Sequence, residues 1–375
     1  MTDGDSISPA AYLLVAACAA VLALVATPRV RALALRVGAV DRPMPGRVHD
    51  RPVPRLGGLA VLIAALGAPA LAALAGLDVA AVLTARGWSL GWLLAGVAVI
   101  VATGVADDVR GLAPLPKLGL QVVAAALALA GGYGLGGVTN PLTGSYVAFG
   151  PLAAAVLTLA WIVLVTNALN LIDGLDGLAS GVALIASATL LVVALVEGRA
   201  DAALAWAILI GALAGFLRYN FNPATIFLGD SGSLLLGYLL SVLSLQSLQK
   251  GAAAVVILVP ILALGVPILD TVVTMVRRAL FSGVASVFRG DRAHVHDLLM
   301  RSGFSHRGTV LAIYGACVAC SALAFLAVAV QGIGNALVVG LAAAATWGVI
   351  RSQRYDLAAR RGERRDPSSS APGDG

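Results

Sequence analysis

Charge is what this 375-residue chain has least of: Asp, Glu, Lys and Arg make up 12% of it, about half the share in soluble domains. At 59% hydrophobic it cannot cover a soluble globule with polar surface, and it is equally unlike a disordered segment. Aromatics are scarce too, at 5%; Ala, Leu and Val carry the apolar content along the whole length, which suits many membrane-spanning helices rather than one anchor. Cysteine is nearly absent. Cys18, Cys317 and Cys320 all lie in apolar stretches, which excludes a disulfide framework and a zinc centre and leaves the Cys317-x-x-Cys320 spacing as small apolar packing. Lysine is rare as well: of 25 cations only Lys117 and Lys250 are lysines. No internal repeat is evident, which speaks against transporter folds built on inverted repeats.

What the chain does have is eleven apolar runs of spanning length, at 10–27, 56–76, 88–106, 118–136, 149–166, 178–196, 202–219, 233–249, 252–275, 309–330 and 333–350. Pro260, Gly265 and Pro267 predict a break in the ninth. The first follows Asp3 and Asp5 without a basic leader, so it reads as an uncleaved helix. Net charge is +6, which in a soluble protein would suggest nucleic acid; here the placement of the cations matters more than their sum. With the odd-numbered loops and the tail inside, 22 of the 25 cations are cytosolic and only Arg86, Arg199 and Lys250 lie outside. The positive-inside rule then sets the N-terminus outside and the C-terminus inside. The expected fold is an all-α polytopic membrane helix bundle of about 11 transmembrane helices with a cytosolic active-site cleft. It forms one domain over 1–350, followed by a basic, then disordered tail at 351–375.

Outside loops are nearly featureless, so chemistry is expected on the cytosolic face. Asp107 and Asp108 are adjacent carboxylates at a helix end: either a solvated end, or a pair that raises one pKa or calls for a cation. Lys117 opens the next span, as a membrane anchor or as a partner for a carboxylate or phosphate. The segment TNALNLIDGLDGLASG holds Asn167, Asn170, Asp173 and Asp176 at steps of three with no cation nearby, and continued as a helix these four would line one face. Uncompensated acids beside a bilayer ask for a divalent cation, and oxygen ligands suit Mg²⁺. Asp230 sits in GDSGS, which is not a serine-protease nucleophile because the segment joins two membrane helices; it reads as a metal or phosphate-site carboxylate. The loop 276–308 carries His294, His296, His306 and several arginines, among them Arg292, in a pattern fit for an anionic substrate rather than for zinc. His49 lies in a similar arginine-rich run, RVHDRPVPRLGG.

Five motifs in order, RVHDRPVPRLGG, ADDVRGL with Lys117 and Gln121, NALNLIDGLDGLASG, NPATIFLGDSGS and DRAHVHDLLMRSGFS, give the chain its resemblance from about residue 12 to 350. It resembles the polyprenyl-phosphate N-acetylhexosamine-1-phosphate transferase superfamily, in the bacterial branch similar to WecA and TagO. The resemblance implies a bundle of ten or eleven helices in the bacterial inner membrane. The implied reaction is Mg²⁺-dependent transfer, with Mn²⁺ as alternative, of a sugar 1-phosphate from a UDP-N-acetylhexosamine to undecaprenyl phosphate, releasing UMP. GlcNAc is the default sugar, the product feeds a cell-envelope polysaccharide, and the partners are these two substrates and the bilayer, with no nucleic acid and with a homodimer allowed. By resemblance Asn170 and Asp230 match the Mg²⁺ ligands, Asp107 and Asp108 the paired catalytic aspartates, Lys117 the phosphate-contacting lysine, and Asp173 and Asp176 the second acidic motif. Arg292, His294 and His296 match donor-facing positions, and Asn167 and His49 join them as expected substrate contacts. Asp297 stands where relatives carry a further histidine.

The loop and the early motif differ from the MraY branch, which takes UDP-MurNAc-pentapeptide and is the alternative. From another class, an ion-coupled secondary transporter requires ionisable residues deep within spans, and Asp270 is the nearest to one. Direct attack by the lipid phosphate, helped by Asp107, and a covalent carboxylate intermediate both remain open.

Overall fold

The computed structural model describes residues 8–42, 52–76, 79, 82, 87–139, 145–248, 260–282 and 294–329. Its helices are α1 (Pro9–Val37), α2 (Gly57–Leu74), α3 (Gly87–Arg110), α4 (Pro114–Ala130), α5 (Pro151–Ile172), α6 (Leu178–Val196), α7 (Ala200–Asn220), α8 (Asp230–Leu248), α9 (Gly265–Ser282), α10 (Val295–Arg301) and α11 (His306–Ala329). Two antiparallel hairpins complete it: β1 (Val40–Asp41) with β2 (Val53–Pro54), and β3 (Gly137–Thr139) with β4 (Tyr146–Ala148). Among the described residues seven helices (α1, α2, α3, α5, α6, α7 and α11) are long and apolar enough to cross a membrane, and α4, α8 and α9 are shorter apolar helices. The chain is therefore an all-α, multi-pass membrane protein. The expected span 333–350 and tail 351–375 lie outside the described residues, as does 252–259. Where the ninth run is described, the helix is interrupted at Leu264, between Pro260 and Pro267, and α9 starts afresh at Gly265.

α8 is the hub. It packs against α2, α3, α5, α6 and α7, so it has no lipid-facing side, and Leu234, Leu235, Leu236, Leu240, Val242 and Leu245 are all buried. Two of its buried hydroxyls are satisfied within the helix, Ser241 Oγ donating to Tyr238 O at 2.8 Å and Ser244 Oγ to Ser241 O at 2.7 Å. Around this hub α1 lies on α2 and α7 while α11 lies on α6. Small residues let the backbones close up: a Cβ on Gly211 or Gly215 of α7 would run into the α1 carbonyls of Ala16 or Ala20.

At the crossing of α2 with the first turn of α8, Gly58 has no room for a side chain, since a Cβ would collide with the backbone of Ser231 and Gly232. Gly58→Ala is expected to push the two helices apart at an overpacking cost of about 1–3 kcal/mol. Thermal unfolding of the detergent-solubilised protein should show a lowered midpoint.

Candidate active site

The site is assembled on the N-terminus of α8. The first N–H groups of a helix have no partner inside it and carry the positive end of its dipole. Here a carboxylate from another helix meets them: Asp108, at the C-terminal end of α3, accepts from Asp230 N at 2.9 Å through Oδ1 and from Ser231 N at 3.0 Å through Oδ2. Two glycines make room. A Cβ on Gly104 would strike the backbone of Asp230 and Ser231, and Gly229, at φ +71 where a side chain is strained, has Asp108 Oδ2 2.6 Å from the point a Cβ would occupy. Asp108 is buried, and the adjacent pair from the sequence is split into two different duties.

Asp107 turns the other way. Its Oδ1 accepts from Leu112 N at 2.6 Å, closing the turn between α3 and α4, and its Oδ2 lies 3.3 Å from Lys117 Nζ. The Lys117 ammonium, carried on the first turns of α4, also reaches Asn170 Oδ1 of α5 at 3.5 Å and pairs with Asp230 Oδ2. Four residues from four helices thus converge on one point. Asn170 is aimed there by Ser233, whose Oγ accepts from Asn170 Nδ2 at 2.9 Å, leaving the amide oxygen for the centre.

Asp230 also borders a cleft of about 630 Å³, within the range of small-molecule sites. Six carboxyls line it (Asp41, Asp108, Asp173, Asp176, Asp230 and Asp297) against two guanidiniums, Arg55 and Arg301, with His296 and His306 beside them. Burial pushes the Asp173 carboxyl up to about 8, reinforced by Asp108 and Asp176 and opposed by Arg55. Burial pushes His296 below the usual imidazole value against the pull of Asp297. Arg55 is itself held in place: its Nη2 donates to Asp41 Oδ1 at 2.8 Å across the β1/β2 hairpin. The next residue, Leu56, is buried at φ 76, a strained value for leucine. Backbone bonds from Gly57 N to Phe227 O and from Gly58 N to Leu228 O, both 3.0 Å, hold that turn against the loop before α8.

The expectation of four polar groups on one helical face is corrected. α5 ends at Ile172, Asp173 is its cap residue, and Gly174 and Gly177 carry the chain through a turn. Only Asn167 and Asn170 share the helix. Asn167 is paired with Gln121 of α4 rather than with the cleft. Asp176 Oδ2 accepts from Asn222 Nδ2 at 2.9 Å and Ala224 N at 3.0 Å, and the Asp176 N–H donates to His306 Nε2 at 3.0 Å. Arg307 completes this lock through its Nη2, 2.9 Å from Asn222 O. His296 lines the cleft, and His294 stacks behind it. His49 and Arg292 lie outside the described residues.

Among the participants not singled out from sequence are Arg55, Asp41 and Ser233, and with them Arg301, Asn222 and Arg307. Arg55 was in plain view within PRLGG, but only the hairpin reveals that Asp41 anchors it. Ser233 stands three residues after Asp230 on the same helix, a spacing that could have marked it.

The donor set suits an oxygen-seeking divalent cation. Asp230 and Asn170 present oxygens to one spot, and a cleft with six carboxyls against two guanidiniums would repel a phosphorylated substrate unless a cation came between them. Among the described residues no group of three His, Cys, Asp or Glu side chains forms a closed metal cage. Such a cation would complete its shell with phosphate and water oxygens.

Residues 90–248, which span α3 to α8 and hold this whole convergence, match the model of glycosyl transferase family 4. The chain is 40% identical over 291 residues to the "Probable undecaprenyl-phosphate N-acetylglucosaminyl 1-phosphate transferase" of Bacillus subtilis, covering 78% of each chain. It is 36% identical over 324 residues to the decaprenyl-phosphate N-acetylglucosaminephosphotransferase of Mycobacterium tuberculosis, covering 80% of this chain and 78% of that one. A phospho-N-acetylmuramoyl-pentapeptide-transferase of Limosilactobacillus fermentum is 48% identical, but over 91 residues, 24% of this chain and 28% of that one. With identity above 30% sustained over more than two thirds of such relatives, the chain belongs to glycosyl transferase family 4, the superfamily of polyprenyl-phosphate N-acetylhexosamine-1-phosphate transferases.

Proposed function

We propose that the chain transfers GlcNAc 1-phosphate from UDP-GlcNAc to undecaprenyl phosphate, releasing UMP, with Mg²⁺ as cofactor, in the bacterial inner membrane. The observation that carries this reading is the meeting of Asp107, Lys117, Asn170 and Asp230 beside an acid-lined cleft. The long matches to two N-acetylglucosaminyl-phosphate transferases support GlcNAc over the muramoyl pentapeptide. The charge distribution of the loops supports a cytosolic cleft with the N-terminus outside.

In the reaction, an oxygen of the lipid phosphate attacks the sugar-bearing phosphorus of the donor. The new P–O–P bond forms as the bond to UMP breaks, and UMP leaves with the electron pair. Asp230 and Asn170 would hold the Mg²⁺, which when bound offsets charge on the diphosphate. Lys117 supplies a fixed positive charge at the same point, and Asp107 and Asp230 hold it there. Asp107 is engaged by Leu112 N and Lys117, which suits orientation better than proton transfer. Asp173, which borders the cleft and has its carboxyl pushed up to about 8, keeps its proton at neutral pH and is placed to donate a hydrogen bond to a phosphate oxygen rather than to take a proton. Direct attack then needs no covalent enzyme intermediate.

The test is UMP release from the purified protein given undecaprenyl phosphate and a panel of UDP-sugars, with and without Mg²⁺. Turnover with UDP-GlcNAc that stops on chelation is expected. Turnover with UDP-MurNAc-pentapeptide alone would move the chain to the muramoyl branch, and none with any donor would overturn the reading.

Asp173 also sets a pH dependence of stability. Its ordinary value is 3.8 and its folded value about 8. Between these values the unfolded chain has lost the proton and the folded one keeps it, so stability from this group is full below about pH 4, falls as pH rises to about 8, and then levels off. In thermal unfolding without divalent cations, the midpoint of wild type should fall more steeply from pH 5 to pH 8 than that of Asp173→Asn. Added Mg²⁺ should flatten the wild-type slope, because a cation favours the ionised carboxylates.

A further inference from the structure

α9 carries an ionisable residue in its apolar stretch, Asp270, only 5% exposed. An unpaired carboxylate there would be costly. Both of its oxygens are in use: Oδ2 lies 2.8 Å from His294 Nδ1, and Oδ1 accepts from Val295 N at 2.9 Å. The bond fixes the imidazole, since Nδ1 facing a carboxylate must carry the proton and Nε2 is left as the free position. His294 in turn stacks on His296, with ring centroids 5.8 Å apart and planes 2° from parallel. His296 is buried at 7% exposure, its Nδ1 has no hydrogen-bond partner, and its Nε2 stands 2.5 Å from where a Cβ on Gly174 would sit, next to Asp173. An unbroken line of contacts therefore runs from a carboxylate in α9 through two imidazoles to the edge of the cleft.

We propose that Asp270 is a positioning residue for the donor side of the cleft, holding His294 in one tautomer and, through it, the His294–His296 stack and α10 against the turn at Gly174. The proposal rests on the transferase reading above. It also accounts for the acid that alone favoured ion transport: Asp270 faces a histidine rather than a translocation path.

In Asp270→Asn the amide has a single acceptor oxygen for two donors. With Val295 N taking that oxygen, the amide NH₂ faces His294 Nδ1 and forces the proton to Nε2. The expected result is a loss of about 100-fold in kcat/KM for the sugar nucleotide, smaller than the loss on inverting the tautomer of a catalytic-triad histidine. The KM for polyprenyl phosphate and the thermal midpoint should be unchanged. His294→Gln should cost a similar factor, and the double variant should be no worse than the poorer single one, because both act through the same ring. A loss within twofold in Asp270→Asn, multiplicative losses in the double variant, or a joint shift of both KM values with the midpoint would overturn the proposal. Should Asp270→Asn not fold, Asp270→Glu decides: a displaced carboxylate is expected to keep the midpoint and lose about 10-fold in donor kcat/KM, and unchanged activity overturns the assignment.

An inactive wild type would sink the transferase reading alone, since one readout needs no turnover. With four histidines in the chain, solid-state ¹⁵N spectra of histidine-labelled protein should show one ring protonated at Nδ1 against a carboxylate, lost in both Asp270→Asn and His294→Gln. Its absence from wild type overturns the positioning role whatever the activity.

Discussion

Asp230→Asn is expected to lower turnover by about 10²- to 10³-fold while leaving the protein folded, the scale of loss seen when a group preorganised for transition-state charge is removed. The carboxylate is the link between the two halves of the site. It pairs with Lys117 at the convergence point, and the same residue borders the cleft. Neutralising it removes the negative charge that would hold a divalent cation and leaves the Lys117 ammonium with Asp107, 3.3 Å away, as its carboxylate partner and the Asn170 amide oxygen at 3.5 Å. The shape of α8 should survive, because Asp108 bonds to the backbone N–H of residue 230 and not to its side chain. The thermal midpoint should therefore stay near wild type, and raising Mg²⁺ should restore little. Lys117→Met is expected to fail differently: the cation site becomes more acidic, so Mg²⁺ affinity holds or rises while the rate falls. UMP release titrated against Mg²⁺ separates the two. Turnover above about a tenth of wild type in Asp230→Asn would place the phosphate anchor elsewhere, since a single such group is worth about 3 kcal/mol.

The spans were legible because hydropathy reports on them residue by residue: α1 to α9 and α11 each fall on an apolar run of the sequence. The small hairpin β3/β4 was not, because Gly137–Thr139 and Tyr146–Ala148 are too short to show a period within a glycine-rich loop. At the site, residue types were legible and partnerships were not. Asn167, Asn170, Asp173 and Asp176 gave a helical period, but Gly174 and Gly177 end the helix, and each of the four took its own direction. The segment looked uncompensated because its cations arrive from far along the chain. Lys117 is 53 residues from Asn170 and 113 from Asp230, and Arg55 acts on Asp173 from the β1/β2 hairpin. Asp107 and Asp108 show the same limit: adjacent in sequence, they point to opposite sides of the end of α3, one to a lysine and one to a helix N-terminus.

That division makes Asp108→Asn the converse of Asp230→Asn: it should lose both stability and turnover. The two Asp108 oxygens each take one N–H of the first turn of α8 in a buried setting. An amide has one oxygen to offer, so one of these N–H groups is left without a partner and faces an NH₂. A buried unsatisfied donor costs about 1–3 kcal/mol, and loss of the negative charge at the positive end of the helix adds about 0.3–2 kcal/mol. The tight seat at Gly104 and Gly229 leaves little room for the amide to turn or for water to enter. The first turn of α8 should loosen, carrying with it Asp230 and Ser233, and through Ser233 the orientation of Asn170. Turnover is then expected to fall by 10²-fold or more from misplacement alone, together with a clear drop in the thermal midpoint in detergent. Asp108→Ala should be worse in both, because it leaves both N–H groups unpaired. If instead Asp108→Asn abolished turnover with an unmoved midpoint, Asp108 would have to touch substrate directly, as the family's paired aspartates suggest. The geometry argues against that: a carboxylate with both oxygens committed to the α8 backbone could reach a phosphate only by giving up the helix start that positions Asp230.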